Sequence, residues 1–264
     1  MARLSIGGIE MNLVDQGRGR PLLLVHGFPL DHTMWQGQAD PLSRNYRVIV
    51  PDLRGFGASG VSEGPVSMER LADDLAALLD ALQIEEPVAL CGLSMGGYVA
   101  WQFWRRHASR LNRLILCDTR ASADSEEAAR AREETARRVL REGTAWLAEA
   151  MIPRLFAEQT LSQRPELVEA TRQVICRADP RGVAAALRGM AARPDVTGWL
   201  PSIRLPTLVI CGQHDAISTA AEMRDWASRI PVARFVEVPS AGHMAPLEQP
   251  AAVNAAIREF LSDA

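Results

Sequence analysis

The chain has 264 residues, of which 47% are hydrophobic, and it carries a formal net charge of −3 at neutral pH. This much apolar material can bury a substantial core, and the length allows one or two domains. The near-neutral charge gives no electrostatic reason to expect nucleic acid or an anionic membrane as a partner. The sequence contains no lysine, which excludes Schiff-base chemistry and a lysine general base.

The cysteines and the amino terminus bear on the compartment. Three of the four cysteines lie at the ends of predicted strands and form no short-loop disulfide framework; the four are Cys91, Cys117, Cys176 and Cys211. Buried, reduced thiols fit a reducing cytoplasm. No Cys/His cluster predicts a metal, and we expect no other cofactor. Apolar runs are too short for a signal peptide or a membrane span.

Short apolar runs predict a series of strands. The first, residues 9–14, alternates apolar and polar side chains, as an antiparallel strand with one wet face does. The later runs are denser, which is typical of strands covered on both faces. These runs cover residues 21–25, 46–50, 88–90, 114–117, 208–211 and 235–238.

Helical patterns lie between these strands. Ser67 is the predicted N-cap of a helix that reaches residue 82, because leucines at 71, 75, 78, 79 and 82 form one apolar face. Further helical segments cover residues 98–107, 220–228 and 251–261. Strands that alternate with helices predict an α/β fold, with a mostly parallel twisted sheet and helices on both faces.

Residues 120–199 interrupt this alternation with a stretch rich in arginine, alanine and glutamate. Four helical runs follow one another there, at residues 125–141, 144–156, 165–177 and 181–192. One crossover does not need four helices, so we predict a helical cap inserted after the sixth strand. The core then comprises residues 1–119 and 200–264. Ordinary crossover helices are the alternative interpretation.

The string Gly92-Leu93-Ser94-Met95-Gly96 places a serine between a predicted strand and a predicted helix. A sharp turn there would expose the Ser94 hydroxyl as a nucleophile elbow. Gly92 and Gly96 would allow the strand and the helix to approach each other closely. The alternative is that the pattern occurs by chance and Ser94 is a loop serine.

A serine hydroxyl needs a base, usually a histidine that a carboxylate orients. Three histidines follow Ser94. His107 lies some three turns along the next helix and should point away. His214 stands just before the late helix. His243 lies in a glycine-bearing loop after the last predicted strand, where open α/β sheets place functional groups, and is therefore the predicted base.

The string His26-Gly27-Phe28-Pro29 follows the predicted strand 21–25. A tetrahedral intermediate needs hydrogen-bond donors aimed at its oxyanion, each worth about 3 kcal/mol. We expect the backbone N–H groups of Phe28 and Met95 to serve, since Pro29 has none. His26 is expected to hold this loop by bonding to the backbone.

Two aspartates compete for the role of the acid. Asp215 and Asp118 each come directly after a predicted strand. Asp215 is preferred, because the order Ser94, Asp215, His243 is the Ser…Asp…His order of α/β-hydrolases. Asp52 precedes the serine and is expected to fix the turn at residues 54–57.

Five motifs, in this order, resemble those of α/β-hydrolase fold enzymes over essentially the whole chain. They are His26-Gly27-Phe28-Pro29, the segment 52–59, Gly92 to Gly97, Gly212-Gln213-His214-Asp215 and Gly242-His243. The resemblance implies that fold and a serine triad. The sequence most resembles small bacterial carboxylesterases, 3-oxoadipate enol-lactonase-like enzymes and cofactor-free perhydrolase-like esterases. A serine nucleophile argues against the haloalkane dehalogenase and epoxide hydrolase branches.

Together these features predict a serine hydrolase that cleaves small, largely apolar carboxylic esters, or lactones, through an acyl-enzyme. The alternatives are an enol-lactonase, a C–C bond hydrolase, an acyltransferase or perhydrolase, and a ligand-binding protein that retains the triad. Both a monomer and a homo-oligomer are compatible with the sequence. The candidate pocket residues, of which those in the cap equally suit helix packing, are Phe28, Leu30, Met95, Trp146, Ile152, Phe156, Met190 and Met244.

Overall fold

The computed structural model describes residues 1–262, which contain one eight-stranded sheet. The strands are β1 (Ala2–Ile6), β2 (Ile9–Gln16), β3 (Pro21–Val25), β4 (Arg47–Pro51), β5 (Val88–Leu93), β6 (Leu111–Cys117), β7 (Thr207–Gly212) and β8 (Ala233–Val238). Their order in the sheet is β1-β2-β4-β3-β5-β6-β7-β8. The pairs β1–β2 and β2–β4 are antiparallel and all the others are parallel, which confirms the predicted mostly parallel sheet.

Every strand predicted from the sequence is present, and each end lies within three residues of its predicted position. All residues of β3, β5 and β7 are buried, as their dense apolar runs indicated. The sequence analysis missed β1. This strand lies at the edge of the sheet with most of its side chains at least partly exposed, so it has no dense apolar run to reveal it.

Helices cover both faces of the sheet. They are α1 (Gln36–Leu42), α2 (Met68–Ala81), α3 (Met95–Arg106), α4 (Glu126–Glu142), α5 (Ala145–Leu155), α6 (Glu158–Gln163), α7 (Pro165–Arg177), α8 (Pro180–Ala191), α9 (Ala220–Ala227), α10 (Ala245–Glu248) and α11 (Pro250–Ser262). Ser67 caps α2 as predicted, and its hydroxyl accepts the N–H of Arg70 at 3.1 Å.

Alternate side chains of β3 enter different hydrophobic clusters, as the two-residue period of a strand requires. Leu23 and Val25 pack with the leucines of α2, whereas Leu22 and Leu24 pack with residues of α11. The sheet is therefore sandwiched between two apolar layers.

A helical insertion, α4 to α8, separates β6 from β7. It has five helices, where the sequence predicted four, because the six-residue α6 is too short to show a clear period. Its last helix packs against the loop after β4. A Cβ at Gly182 would lie 1.9 Å from the carbonyl oxygen of Gly55, so only glycine permits this contact.

None of the helices within residues 1–262 has both the length and the apolar character needed to cross a bilayer. The four cysteines have free thiols, of which those of Cys91, Cys117 and Cys211 are buried and that of Cys176 is exposed.

Candidate active site

Ser94 occupies the single-residue turn between β5 and α3. Its φ of 53° and ψ of −112° lie outside the regions that residues other than glycine favour. Backbone strain of this kind is concentrated at functional sites. A Cβ at Gly92 would lie 2.2 Å from the Gly96 carbonyl oxygen, and one at Gly96 would lie 2.3 Å from that of Val25. The two glycines therefore let β5, α3 and β3 meet around Ser94.

Two hydrogen bonds, one with the last residue of β6 and one with the loop after it, fix this turn. The N–H of Ser94 donates to the carbonyl oxygen of Cys117 at 2.9 Å. The Thr119 hydroxyl donates to the carbonyl oxygen of Ser94 at 2.8 Å. Ser94 itself is partly exposed.

His243 and Asp215 form a buried pair at the carboxyl ends of β7 and β8. Nδ1 of His243 lies 2.8 Å from Oδ2 of Asp215. The other carboxylate oxygen accepts the N–H groups of Ile217 and Ser218 at 2.7 and 2.9 Å. A carboxylate partner requires Nδ1–H to be the donor, which leaves Nε2 unprotonated on the neutral ring. The imidazole is thus set up to accept a proton.

Burial alone would raise the pKa of Asp215. The electrostatic interaction with His243 and the hydrogen bonds from His243, Ser218 and Ile217 outweigh burial and hold the pKa of the Asp215 carboxyl below its usual range. Asp215 is therefore an anion beside the imidazole at neutral pH.

The two loops that carry this pair are in direct contact. A Cβ at Gly212 would lie 2.0 Å from the carbonyl oxygen of Gly242. The N–H of His214 donates to the carbonyl oxygen of Ala241 at 2.8 Å, while the rest of His214 is exposed. His107, the third candidate base, instead faces Asp73 at the far end of α3, at 2.8 Å.

The rival aspartates take other partners. Oδ1 of Asp118 accepts the N–H of Gly212 at 2.7 Å, and no hydrogen bond joins Asp118 to His243. Oδ2 of Asp52 accepts the N–H of Ala58 at 2.9 Å, and its Oδ1 lies 2.7 Å from Nδ1 of His32. Asp52 therefore fixes the turn after β4, as expected. Of the two acid candidates, Asp215 is the one that contacts the imidazole.

Two backbone N–H groups beside Ser94 have no acceptor within residues 1–262. They belong to Phe28 and Met95, the predicted oxyanion donors. A Cβ at Gly27 would lie 3.4 Å from that of Ser94, so the loop bearing Phe28 abuts the nucleophile turn. Free, fixed donors beside a serine are what an oxyanion hole needs.

His26 supports that loop, as the sequence suggested. Its Nδ1 lies 2.9 Å from the carbonyl oxygen of Gly27, and its Nε2 accepts the N–H of Leu53 at 2.9 Å. Complete burial lowers the pKa of His26, so the ring is neutral. A neutral ring with both nitrogens engaged in this way is a structural support.

The Ser94 hydroxyl makes no hydrogen bond to any residue in the described part of the chain, His243 included. Catalytic hydrogen bonds are often long before a ligand binds and tighten in the complex. We predict that Ser94 passes its proton to His243 once a ligand is bound.

The predicted pocket residues divide between the two hydrophobic clusters. Phe28, Met95, Trp146 and Met190 belong to or pack against the α2 side, and Leu30, Ile152, Phe156 and Met244 belong to the α11 side. Only Phe28 and Trp146 are partly exposed. A cavity of about 550 Å³ opens between α1, α7 and α10, and of these residues it includes Leu30.

Sequence reasoning missed Glu248. This buried carboxylate accepts the N–H of Gly242 at 2.7 Å and the N–H of Ala157 at 2.9 Å. It joins the loop of His243 to the end of α5. An acidic residue five positions after the histidine was the only sequence signal.

Comparisons with known proteins identify the family of the chain. The family model for the α/β-hydrolase fold matches residues 20–250. A thermophilic esterase from Thermogutta terrifontis, solved with malate bound, is 52% identical with a TM-score of 0.96, over 98% of this chain and 97% of that one. The enol-lactonase from Burkholderia xenovorans is 33% identical with a TM-score of 0.92, over 99% and 100%.

The chain is also similar in sequence to a curated enol-lactonase. The 3-oxoadipate enol-lactonase 2 of Acinetobacter baylyi is 31% identical over 260 residues, which cover 98% of this chain and 95% of the relative. The family match spans most of the chain, and these similarities run along nearly its whole length. The protein is an α/β-hydrolase and belongs to the α/β-hydrolase fold family.

Proposed function

We propose that this protein is a serine hydrolase that cleaves carboxylic esters of small, largely apolar substrates. The observation that carries the proposal is the buried pair of His243 and Asp215, 2.8 Å apart. The pair follows the carboxyl ends of β7 and β8, and Ser94 follows the carboxyl end of β5 in a strained turn. The four cysteines form no disulfide within the described residues, and we include a cytoplasmic location in the proposal.

In the first step, Nε2 of His243 takes the hydroxyl proton as Ser94 Oγ attacks the ester carbonyl carbon. The carbonyl oxygen becomes an oxyanion, which the N–H groups of Phe28 and Met95 stabilise. Asp215 holds the imidazole in the required tautomer and stabilises its charged form. The imidazolium then protonates the alcohol oxygen, the C–O bond breaks, and an acyl group remains on Ser94.

In the second step, His243 removes a proton from a water molecule, which attacks the acyl carbon. A second oxyanion forms in the same place. It collapses as the imidazolium returns the proton to Ser94 Oγ, which releases the carboxylic acid and restores the enzyme.

The charges near the predicted pocket residues support an uncharged substrate. Arg132 and Arg193 both approach Met190, and both form ion pairs with Asp124. An arginine that is already paired with a buried carboxylate is a poor partner for a substrate anion.

A lactone that carries a carboxylate is the second candidate substrate, because enol-lactonases are among the similar proteins. Arg138 could receive such a carboxylate. Its guanidinium lies 3.9 Å from the ring centre of Trp146, and its exposed ion pair with Glu142 is easily replaced.

The test uses p-nitrophenyl esters of increasing acyl length, with Ser94→Ala as the test variant and Ser228→Ala as the control. Ser228 is exposed at the end of α9, so its loss should not alter turnover. We expect Ser94→Ala to lose turnover and fluorophosphonate labelling while it remains folded. Near-native turnover by Ser94→Ala would refute the proposal.

Enol-lactone hydrolysis, measured in parallel, decides between the two substrate classes. If the lactone is the better substrate, Arg138→Ala should raise its KM and leave the KM of neutral esters unchanged. If neutral esters are better and Arg138→Ala has no effect, the first substrate class holds.

A further inference from the structure

Asp118 is a fully buried carboxyl group that the mechanism above does not use. It follows β6 directly, with a φ of 46°, which is a left-handed conformation that costs free energy in a residue with a side chain. Its N–H donates to the carbonyl oxygen of Ile210 at 2.9 Å, and its Oδ1 accepts the N–H of Gly212 at 2.7 Å. The backbone therefore holds the carboxyl rigidly between β6 and β7.

The second oxygen of this carboxyl, Oδ2, is buried and receives no hydrogen bond from a donor. A buried anionic oxygen without a donor is costly, because burial has removed its water and nothing replaces it. The same oxygen on a protonated carboxyl would itself be a donor, and it would then need only an acceptor nearby.

The carboxylate of Asp215 can serve as this acceptor. One carboxylate oxygen of Asp118, one of Asp215 and the sulfur of Cys211 all lie within 4.8 Å of one another. Both oxygens of Asp215 already accept hydrogen bonds, and an anion there can accept another. Two buried carboxylates this close to each other disfavour each other's ionisation, which favours a proton on one of them.

We propose that Asp118 keeps its proton on Oδ2 in the folded protein and donates it in a hydrogen bond to the carboxylate of Asp215. Asp118 is then a positioning residue, which acts on the reaction only through Asp215. This inference rests on the proposed function only for its kinetic consequence; the protonated carboxyl itself does not depend on turnover.

Burial and the charge of Asp215 raise the pKa of Asp118 well above its usual range. The titratable groups that face this carboxyl are Asp215 from the loop after β7, the Cys211 thiol of β7 and the Cys117 thiol of β6. The hydrogen bond with Cys91, together with burial, raises the pKa of the Cys117 thiol, and burial raises that of the Cys211 thiol, so neither supplies an anion at neutral pH. His243 contacts Asp215 through Nδ1, which lies 2.8 Å from Oδ2 of that carboxylate.

The same cluster does not suit a metal ion. The buried thiol of Cys211 is held as a neutral group, whereas a thiol ligand must be a thiolate. A proton on Asp118, shared in a hydrogen bond with Asp215, accounts for the closeness of the two carboxyl groups without a metal ion.

The kinetic test compares Asp118→Asn with Asp118→Leu. The asparagine amide can still accept from Gly212 and donate to Asp215, whereas leucine can do neither. We expect Asp118→Leu to lower kcat about tenfold or more, at an unchanged KM, because Asp215 is no longer held against His243. Asp118→Asn should recover most of that loss. Equal losses in both variants, or none in either, would overturn the positioning role.

The thermodynamic test follows the unfolding of Asp118→Asn and the wild type by urea from about pH 4, near the usual aspartate pKa of about 3.9, to about pH 8. Asp118 keeps its proton when folded and loses it when unfolded. The unfolding equilibrium of the wild type should therefore rise by up to about tenfold per pH unit relative to the variant. A difference that is constant with pH would show an ionised Asp118 and end the proposal.

An infrared spectrum of the wild type at neutral pH covers the case in which a variant fails to fold. The carbonyl stretch of a protonated carboxyl group should be present in the native protein and should disappear on unfolding. Its absence from the native protein would contradict the proposal, even if the protein proved to have no esterase activity.

Discussion

The carboxylate of Glu248 accepts the N–H of Gly242, the residue before the catalytic candidate His243, at 2.7 Å. The other oxygen of the same carboxylate accepts the N–H of Ala157, at the end of α5. A third hydrogen bond runs from the N–H of Met244 to the carbonyl oxygen of Leu155 at 3.1 Å. The position of the histidine loop is therefore tied directly to the helical insertion.

Replacing Glu248 with glutamine tests this connection. The amide has one accepting oxygen, so the N–H of either Gly242 or Ala157 would face an NH₂ group and lose its acceptor. We expect unfolding in urea to become easier by about 1–3 kcal/mol, with a fall in kcat. Glu259→Gln is the matched control, because Glu259 is exposed on α11 and should change stability by no more than about 0.5 kcal/mol. Indistinguishable stabilities of the two variants would contradict the role of Glu248.

The contact between Gly182 and Gly55 predicts an unusual response to an alanine. In the interior of a helix, Gly→Ala normally stabilises by about 1 kcal/mol through helix propensity. At Gly182 the new Cβ would lie 1.9 Å from the backbone oxygen of Gly55, which cannot swing aside as a side chain could. We expect Gly182→Ala to lower stability by about 1–3 kcal/mol, measured as the shift in the thermal midpoint.

Gly198 supplies the control for this prediction. A Cβ at Gly198 would meet no atom within 4 Å, and the residue does not require a positive φ. Gly198→Ala should therefore leave the thermal midpoint nearly unchanged. A Gly182→Ala protein that is as stable as the wild type would mean that α8 can move away from the loop after β4 without cost.

Asp52 predicts a loss of stability in acid. Burial raises its pKa, but hydrogen bonds from His32 and Ala58 outweigh burial and lower the pKa of Asp52 from 3.8 to about 2. A carboxyl with a depressed pKa stabilises the fold above the unfolded pKa, and this contribution is lost as the pH falls through the folded value. The loss should therefore occur between about pH 4 and pH 2 and amount to about 2 kcal/mol.

The comparison with Asp52→Asn isolates this contribution. The asparagine has no carboxyl to titrate, so the stability advantage of the wild type should shrink by about 2 kcal/mol as the pH falls through that window. The measurement is urea unfolding at several pH values. Parallel curves for the two proteins would indicate that Asp52 has an ordinary pKa in the fold.

The sequence predicted the features that depend on neighbouring residues. The dense apolar runs of β3 and β7 and the turn around Ser94 are local patterns, and the structure has all of them. The contact between Glu248 and Ala157 spans 91 residues, and no local pattern reveals it. The direction of each side chain in the insertion also depends on how its helices pack, so the pocket residues could be named only as candidates.

Asp215→Asn tests the proposed acid with the smallest change in shape. The carboxylate now accepts Nδ1–H of His243 at 2.8 Å and so leaves Nε2 free to act as the base. An amide nitrogen in that place would donate to Nδ1, which would put the ring proton on Nε2, where it blocks proton transfer from Ser94. We expect kcat to fall by about 10⁴ with little change in KM, while the unfolding transition shows that the protein is still folded. A fall of about tenfold or less would mean that the imidazole finds its tautomer without Asp215, and Asp118, the buried carboxyl next to it, would become the acid to test.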